Sequence, residues 1–222
     1  MTGNMSFSVI LKKSGTDIMI SAIILAAGLS SRMGFPKQLL ELGSRTLIRI
    51  VAENVLASAV DEVLVVTGCR EDEVSAAIKD LPVKIVFNPH YGQGQGSSLA
   101  LGVKAINVMT TAFMVFMCDQ PLITPPLINT VIREFKERQS LALRPIYRDI
   151  PGHPVIFSYS VLAELESLKG DEGARKVLEK LGNQVDYLPV QDEAVVLDVD
   201  TPESYKKLKQ MYLKNRFTTL CD

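Results

Sequence analysis

Short apolar runs and amphipathic stretches alternate along the chain. The runs at 21–25, 62–67, 83–87, 112–117, 141–146 and 155–157 are strand-length, and several lack the polar alternation of a half-exposed strand. Between them, apolar residues at three- and four-residue spacing predict helices over 47–57, 71–79, 97–108, 125–138, 160–168 and 173–181. A last strand is expected within 185–196 and a last helix within 202–213. Strands alternating with helices in this way predict βαβ units, hence an α/β fold with a mostly parallel sheet covered on both faces. Thr124-Pro125 and Thr201-Pro202 predict helix starts, each with a hydroxyl cap ahead of a first-turn proline. No repeat, low-complexity tract or linker divides the chain. Residues 20–222 therefore read as one domain, with 1–19 as an extension of unassigned role.

Composition narrows the classes of function. The 222 residues are 47% apolar, enough for a substantial core. Lysine and arginine total 24 against 25 aspartate and glutamate, a net charge of −1. That balance points to neither nucleic acid nor an anionic membrane as partner. No apolar run reaches the roughly 18 residues of a spanning helix. Lys12 and Lys13 follow the short N-terminal apolar patch instead of preceding it, the wrong order for a secretory signal. The three cysteines, Cys69, Cys118 and Cys221, are too scattered for a disulfide framework or a metal-ligand pattern, and a reducing cytoplasm is the expected location.

The densest chemistry lies in 20–37. An apolar run ends at Ala26-Ala27-Gly28, and Arg32, Gly34 and Lys37 follow. Residues with little or no side chain allow a ligand close to backbone N–H groups, and Gly28 can adopt the positive φ of a sharp turn. Arg32 offers a fork of donors to phosphate oxygens and Lys37 a mobile point charge. A phosphate loop and an ordinary strand–glycine–helix junction both fit this pattern. The P-loop spacing G-x-x-x-x-G-K-[ST] is absent, and so is the dinucleotide spacing G-x-G-x-x-G after this strand.

Carboxylates stand at two other strand ends. Cys118-Asp119 follows the apolar run 113–117 at once, and Asp198 and Asp200 follow 194–197. Ligands of open α/β sheets bind at such carboxyl edges. Extended backbone at 198–200 would put both aspartates on one face. Asp119 and Asp200 can supply the one or two carboxylates that Mg²⁺ takes, and each can equally cap a turn or helix. Two further glycine-containing loops stand out. In 88–98, Gly92, Gly94 and Gly96 leave backbone open, and Ser97 and Ser98 can meet a base or ribose, although a plain surface loop also fits. In 170–175, Arg175 near a helix start can bind an anionic acceptor or simply face water. His153 fits a structural or a catalytic role, and Cys118 fits strand packing better than nucleophilic chemistry.

Six segments in one order carry a resemblance: LAAGLSSRMGFPKQLL (25–40), NPHYGQGQGSSL (88–99), CDQP (118–121), GHPVIF (152–157), GDEGAR (170–175) and DVDTPESY (198–205). Together they resemble the molybdenum cofactor cytidylyltransferase type of the MobA-like nucleotidyltransferases, over about 20–213. The resemblance implies a Rossmann-like three-layer α/β sandwich and transfer of CMP from CTP to the phosphate of molybdenum-loaded molybdopterin. It implies Leu25, Ala26, Ala27, Gly28, Arg32 and Lys37 around the triphosphate, with Arg32, Lys37 and Asp119 carrying the chemistry. Asp119 and Asp200 would hold Mg²⁺, or Mn²⁺ in its place. Asn88, Gly94, Ser97 and Ser98 would belong to the base-reading loop, and His153, Asp171 and Arg175 would face the acceptor. Further implied partners are a molybdoenzyme or its chaperone. LAAG in place of LAGG points to the cytidylyl branch, with Ala27 the position most tied to that preference. Guanylyl transfer, transfer to a sugar or alditol phosphate, and a non-catalytic cofactor chaperone are the alternatives.

Overall fold

The computed structural model describes residues 18–30 and 33–218, with side chains through 213. The strand β1 (Ile20–Ala26) is buried at every position. Its residues alternate between two cores: Ile20, Ala22, Ile24 and Ala26 face one, and Ile23 and Leu25 the other. A strand covered on both faces needs apolar side chains in both directions, hence the continuous run in the sequence. Its one hydroxyl is satisfied, because Ser21 Oγ donates to Glu62 and lies 2.7 Å from Thr110 Oγ1.

Around β1 the chain builds β2 (Glu41–Leu42), β3 (Arg45–Thr46), α1 (Leu47–Leu56), β4 (Glu62–Thr67), α2 (Glu71–Ile78), β5 (Lys84–Phe87), α3 (Gln95–Ala105), β6 (Ala112–Met117) and α4 (Pro125–Arg138). Then come β7 (Ala142–Tyr147), β8 (Ile150–Pro151), β9 (Val155–Ser158), α5 (Leu162–Glu166), α6 (Ala174–Leu181), β10 (Val185–Pro189) and α7 (Pro202–Thr218). The main sheet runs β10-β7-β9-β6-β1-β4-β5, with β8 paired to β7. β1 is parallel to both neighbours, β6 and β4. β9 runs antiparallel between β6 and β7, because the β7–β8 turn sends the chain straight back. Helices α1, α2 and α4 pack on one face and α3, α5 and α6 on the other, giving three layers. A third cluster joins Leu47, Ile50 and Leu42 to Val199 and to Leu208 of α7.

The expected strands and helices form with shifts of a few residues at their ends. α3 begins at Gln95 and ends at Ala105, earlier at both ends than 97–108. The stretch 160–168 divides into a 3₁₀ turn over Tyr159–Val161 and the short α5. The two-residue strands β2, β3 and β8 fall below the length at which periodicity registers. Thr124 makes no side-chain cap; Pro125 at the first helical position needs no donor there. Thr201 does cap, its hydroxyl accepting from Ser204 N at 3.1 Å. The N-terminal extension is, apart from Ile18 and Met19, outside the described residues.

Candidate functional site at the carboxyl edge of β1 and β6

β1 and β6 end side by side, and their following loops meet. Ala27 is buried against Tyr91 and Gly68: a Cβ built on Gly68 would lie 2.6 Å from the Cβ of Tyr91 and 2.8 Å from that of Ala27. The surface over Gly28 is open, with no atom within 4 Å of a built Cβ. Positive φ in this loop falls at Ser30 (53°) and Gly34 (67°), not at Gly28 as the sequence suggested. Gly28 thus serves access to the backbone and Gly34 makes the turn.

Pro36 leads into a 3₁₀ turn, Lys37–Leu39. The Gln38 side chain is buried there, and its amide donates to Ala26 O at 2.9 Å and Gly28 O at 2.8 Å. Ser30 Oγ donates to Gln38 Oε1 at 3.2 Å and accepts from Lys37 N at 3.0 Å. This network fixes the loop and aims Lys37 inward. The Lys37 ammonium donates to Asp119 Oδ2 and, at 2.8 Å, to Asp200 Oδ1. Burial lowers the ammonium's pKa, but Asp119, the neighbouring Cys118 and the two hydrogen bonds outweigh it, and the net shift is upward. Lys37 therefore stays charged at neutral pH.

Asp119 is buried, and its Oδ1 has no hydrogen-bond partner. Asp198 lies close by, its carboxyl pKa raised by burial and then by the Asp119 charge, and its Oδ1 accepts from Gln120 at 2.6 Å. Cys118 is buried and its thiol is pushed up to about 12, chiefly by burial. It is a packing residue, as the sequence suggested.

A cleft of about 410 Å³ opens over this corner, lined by Leu25, Ala27, Gly28, Lys37, Tyr91, Gly94, Gln95, Ser98, Met117 and Asp171 among others. The expected loop residues divide within it. Ser98 faces the cleft. Asn88 is buried and donates to Ser97 Oγ (3.0 Å) and Ser98 Oγ (2.9 Å), so its amide holds the loop from below. Ser97 Oγ is shared between His90 O and Gly94 O. Of the three glycines, only Gly92 has the open surroundings that the sequence suggested. A Cβ on Gly94 would fall 2.2 Å from Asp171 Oδ1, and one on Gly96 would fall 2.9 Å from Gly170 O, which accepts from Gly96 N. These two glycines let 88–98 dock on 170–173.

The three residues expected at the acceptor fall on two neighbouring recesses. Asp171 lines the same cleft as Gly28 and Lys37. Arg175 sits in the first turn of α6, largely exposed and paired with Glu179 at 2.7 Å. His153 and Arg175 both line a small cavity of about 100 Å³ beside the main cleft. Burial holds the His153 imidazole neutral, its pKa pushed down to about 4, with the nearby Arg144 charge adding to the effect. Arg32 lies outside the described residues. Gln38, Gly68, Tyr91 and Gln95 belong to the site and escaped the sequence reading; the one available signal was Gln38, a lone amide between Lys37 and two leucines.

An open α/β sheet with its cleft at the carboxyl ends of the central strands, a bare first loop and a lysine between two carboxylates defines a nucleotide-handling enzyme of neither P-loop nor dinucleotide type. The profile of the family described as the MobA-like NTP transferase domain matches residues 22–185, and the chain belongs to that family of nucleotidyltransferases. It is 30% identical to the nicotine blue oxidoreductase of Paenarthrobacter nicotinovorans, over 87% of this chain and 98% of that one. It is 29% identical to the molybdenum cofactor cytidylyltransferase of Escherichia coli K12, over 87% and 97%. The solved structure of Rv0371c from Mycobacterium tuberculosis H37Rv superposes with a TM-score of 0.78 at 28% identity, over 88% and 100% of the two chains. The same protein in complex with manganese gives 0.75 at 27% identity, over 86% and 98%.

Proposed function

We propose that the protein moves CMP from CTP to the terminal phosphate of molybdenum-loaded molybdopterin and releases pyrophosphate. The observation that carries this reading is Lys37 held between Asp119 and Asp200 at the mouth of a cleft whose other wall is the bare loop 26–28. The relative named molybdenum cofactor cytidylyltransferase supports the base and the acceptor.

The residues present fit a divalent cation. No group of three or more His, Cys, Asp or Glu among the described residues forms a metal cluster. Mg²⁺ and Mn²⁺ need fewer, because phosphates and waters complete their shell. The partnerless Oδ1 of buried Asp119 and the neighbouring Asp200 are hard oxygen donors of the right kind, and a relative's structure contains manganese. Asp119 and Asp200 would hold the cation, which would neutralise charge on the reacting phosphate.

The chain's own groups do the rest. Backbone N–H groups over 26–28 face the triphosphate. Lys37 exchanges a carboxylate for phosphate oxygens, and with Arg32 it stabilises the departing pyrophosphate. Ser98, with Gly94 beside it, faces the base end of the cleft. The acceptor phosphate, with a second pKa of about 6, is mostly dianionic at neutral pH and attacks the α-phosphorus without a protein base. The low basicity of partly buried His153 fits that absence. Catalysis is then positioning and charge neutralisation. A cytoplasmic location is part of the same proposal, as the compartment in which CTP and the pterin acceptor would be met.

The test is pyrophosphate release from CTP and from GTP, each with and without molybdenum-loaded molybdopterin. The expected result is release that needs CTP and the pterin together. Preference for GTP, or release only with a sugar or alditol phosphate, overturns the assignment. The relative named nicotine blue oxidoreductase favours a second reading, redox chemistry at the same cleft, which yields no pyrophosphate.

A further inference from the structure

Behind the nucleotide cleft lies a second recess with an unusual cation. Arg144 sits on β7, half-buried, and lines both the small cavity with Leu25 and His153 and a larger cleft of about 840 Å³ that opens outward past Tyr187. Its Nε and Nη2 donate to Gly152 O, at 3.3 and 3.1 Å. No carboxylate among the described residues pairs with it. The one acidic side chain lining the larger cleft, Glu179, is taken by Arg175. Burial without a counter-charge depresses the guanidinium's pKa and is costly unless a ligand compensates. A second orphan faces the same cavity: His153 Nδ1 is fully buried and has no hydrogen-bond partner. Tyr187 stands opposite Arg144 in the β10–β7 register and is substantially exposed.

We propose that Arg144, flanked by Tyr187, binds the far end of the phosphate-bearing acceptor, and that this end is a flat heterocycle with a carbonyl oxygen beside a ring nitrogen. The inference rests on the nucleotidyl-transfer reading of the Lys37–Asp119 corner. Distance gives the first argument. β7 lies two strands from β6, on the far side of β9, about 10 Å away, and the register sets Arg144 level with Val115, four residues before Asp119. That is too far to hold the attacking phosphate and matches the length of a fused bicyclic ring with a short side chain. The second argument is shape. An arginine fork binds an adjacent carbonyl oxygen and ring nitrogen in two parallel hydrogen bonds, as it does on guanine, and a pterin presents the same pair. Tyr187 adds an apolar ring face beside the fork. A plain sugar phosphate offers neither feature.

The test is Arg144→Gln, in which the amide can still donate to Gly152 O while the fork and the charge are gone. Binding is read from the fluorescence anisotropy of a pterin monophosphate probe, and turnover from pyrophosphate release. The expected result is at least a tenfold loss of probe affinity and a similar rise in acceptor KM, with kcat, the KM for CTP and the melting midpoint close to wild type. Equal probe affinity and equal acceptor KM in variant and wild type overturn the proposal and leave the CTP reading untouched. Failure of the wild type to bind the probe also overturns it. Wild-type binding of the probe that Arg144→Gln loses, without pyrophosphate release from any nucleotide, keeps the recess and rejects the transferase reading.

Discussion

At the first loop a single buried amide, that of Gln38, satisfies two backbone carbonyls, Ala26 O and Gly28 O, and is itself held by Ser30. Replacing it with alanine leaves both carbonyls short of a partner. Each such loss typically costs about 1–3 kcal/mol. Gln38→Ala should therefore lower the denaturation midpoint and weaken nucleotide binding together; unchanged values for both in a urea titration and a binding isotherm would refute the network's role. Asp119 was legible in the sequence because its charge stands just past an apolar run, and Lys37 because it follows the bare loop that ends another. Gln38 was not, because its function is to bond carbonyls ten and twelve residues upstream, and no spacing rule announces that. Arg144, inside an apolar strand, carried a similar signal of misplaced charge. What could not be read there was its lack of a partner, which is a property of the packed molecule.

The glycine-rich segment ahead of α3 shows why an element's composition can be read correctly and its purpose wrongly. Its glycines looked like an open backbone for a ligand. Gly94, at φ 107°, and Gly96 instead allow close contact with the turn at 170–172, which brings Asp171 to the cleft wall. Gly94→Ala combines a strained backbone, of order 1–3 kcal/mol, with a clash against Asp171 and Gly170. Gly92→Ala meets open space. The expected outcome is that Gly94→Ala lowers both the melting midpoint and CTP affinity while Gly92→Ala changes neither, measured by calorimetry and nucleotide titration. Equal behaviour of the two variants would contradict the docking. Strand and helix positions were legible from periodicity for most elements, because buried parallel strands leave long apolar runs. The short strands β2, β3 and β8 were not, since their two residues each depend on turns, such as Arg148 and Asp149 at positive φ, that their residue types do not announce.

On the scale of the whole molecule, the site exists because of strand order. β1 and β6 are neighbours although β2, β3, α1, β4, α2, β5 and α3 separate them in the chain, so the Lys37 turn meets Asp119, 82 residues away. Asp200 arrives from 163 residues away, in the segment that Val199 anchors against α1 and α7. Alternation of elements announces a mostly parallel sheet but not its order, nor the antiparallel entry of β9, because both follow from how the layers pack. The same order sets β7 two strands beyond the reactive corner, where the recess proposed for the acceptor lies. We infer that the Lys37–Asp119–Asp200 corner performs nucleotidyl transfer. Asp119→Ala tests it most directly, through divalent-cation-dependent pyrophosphate release alongside circular dichroism. The expected result is a native spectrum and a rate lower by on the order of 10²–10³ or more; near-normal release from a folded Asp119→Ala protein would rule that role out.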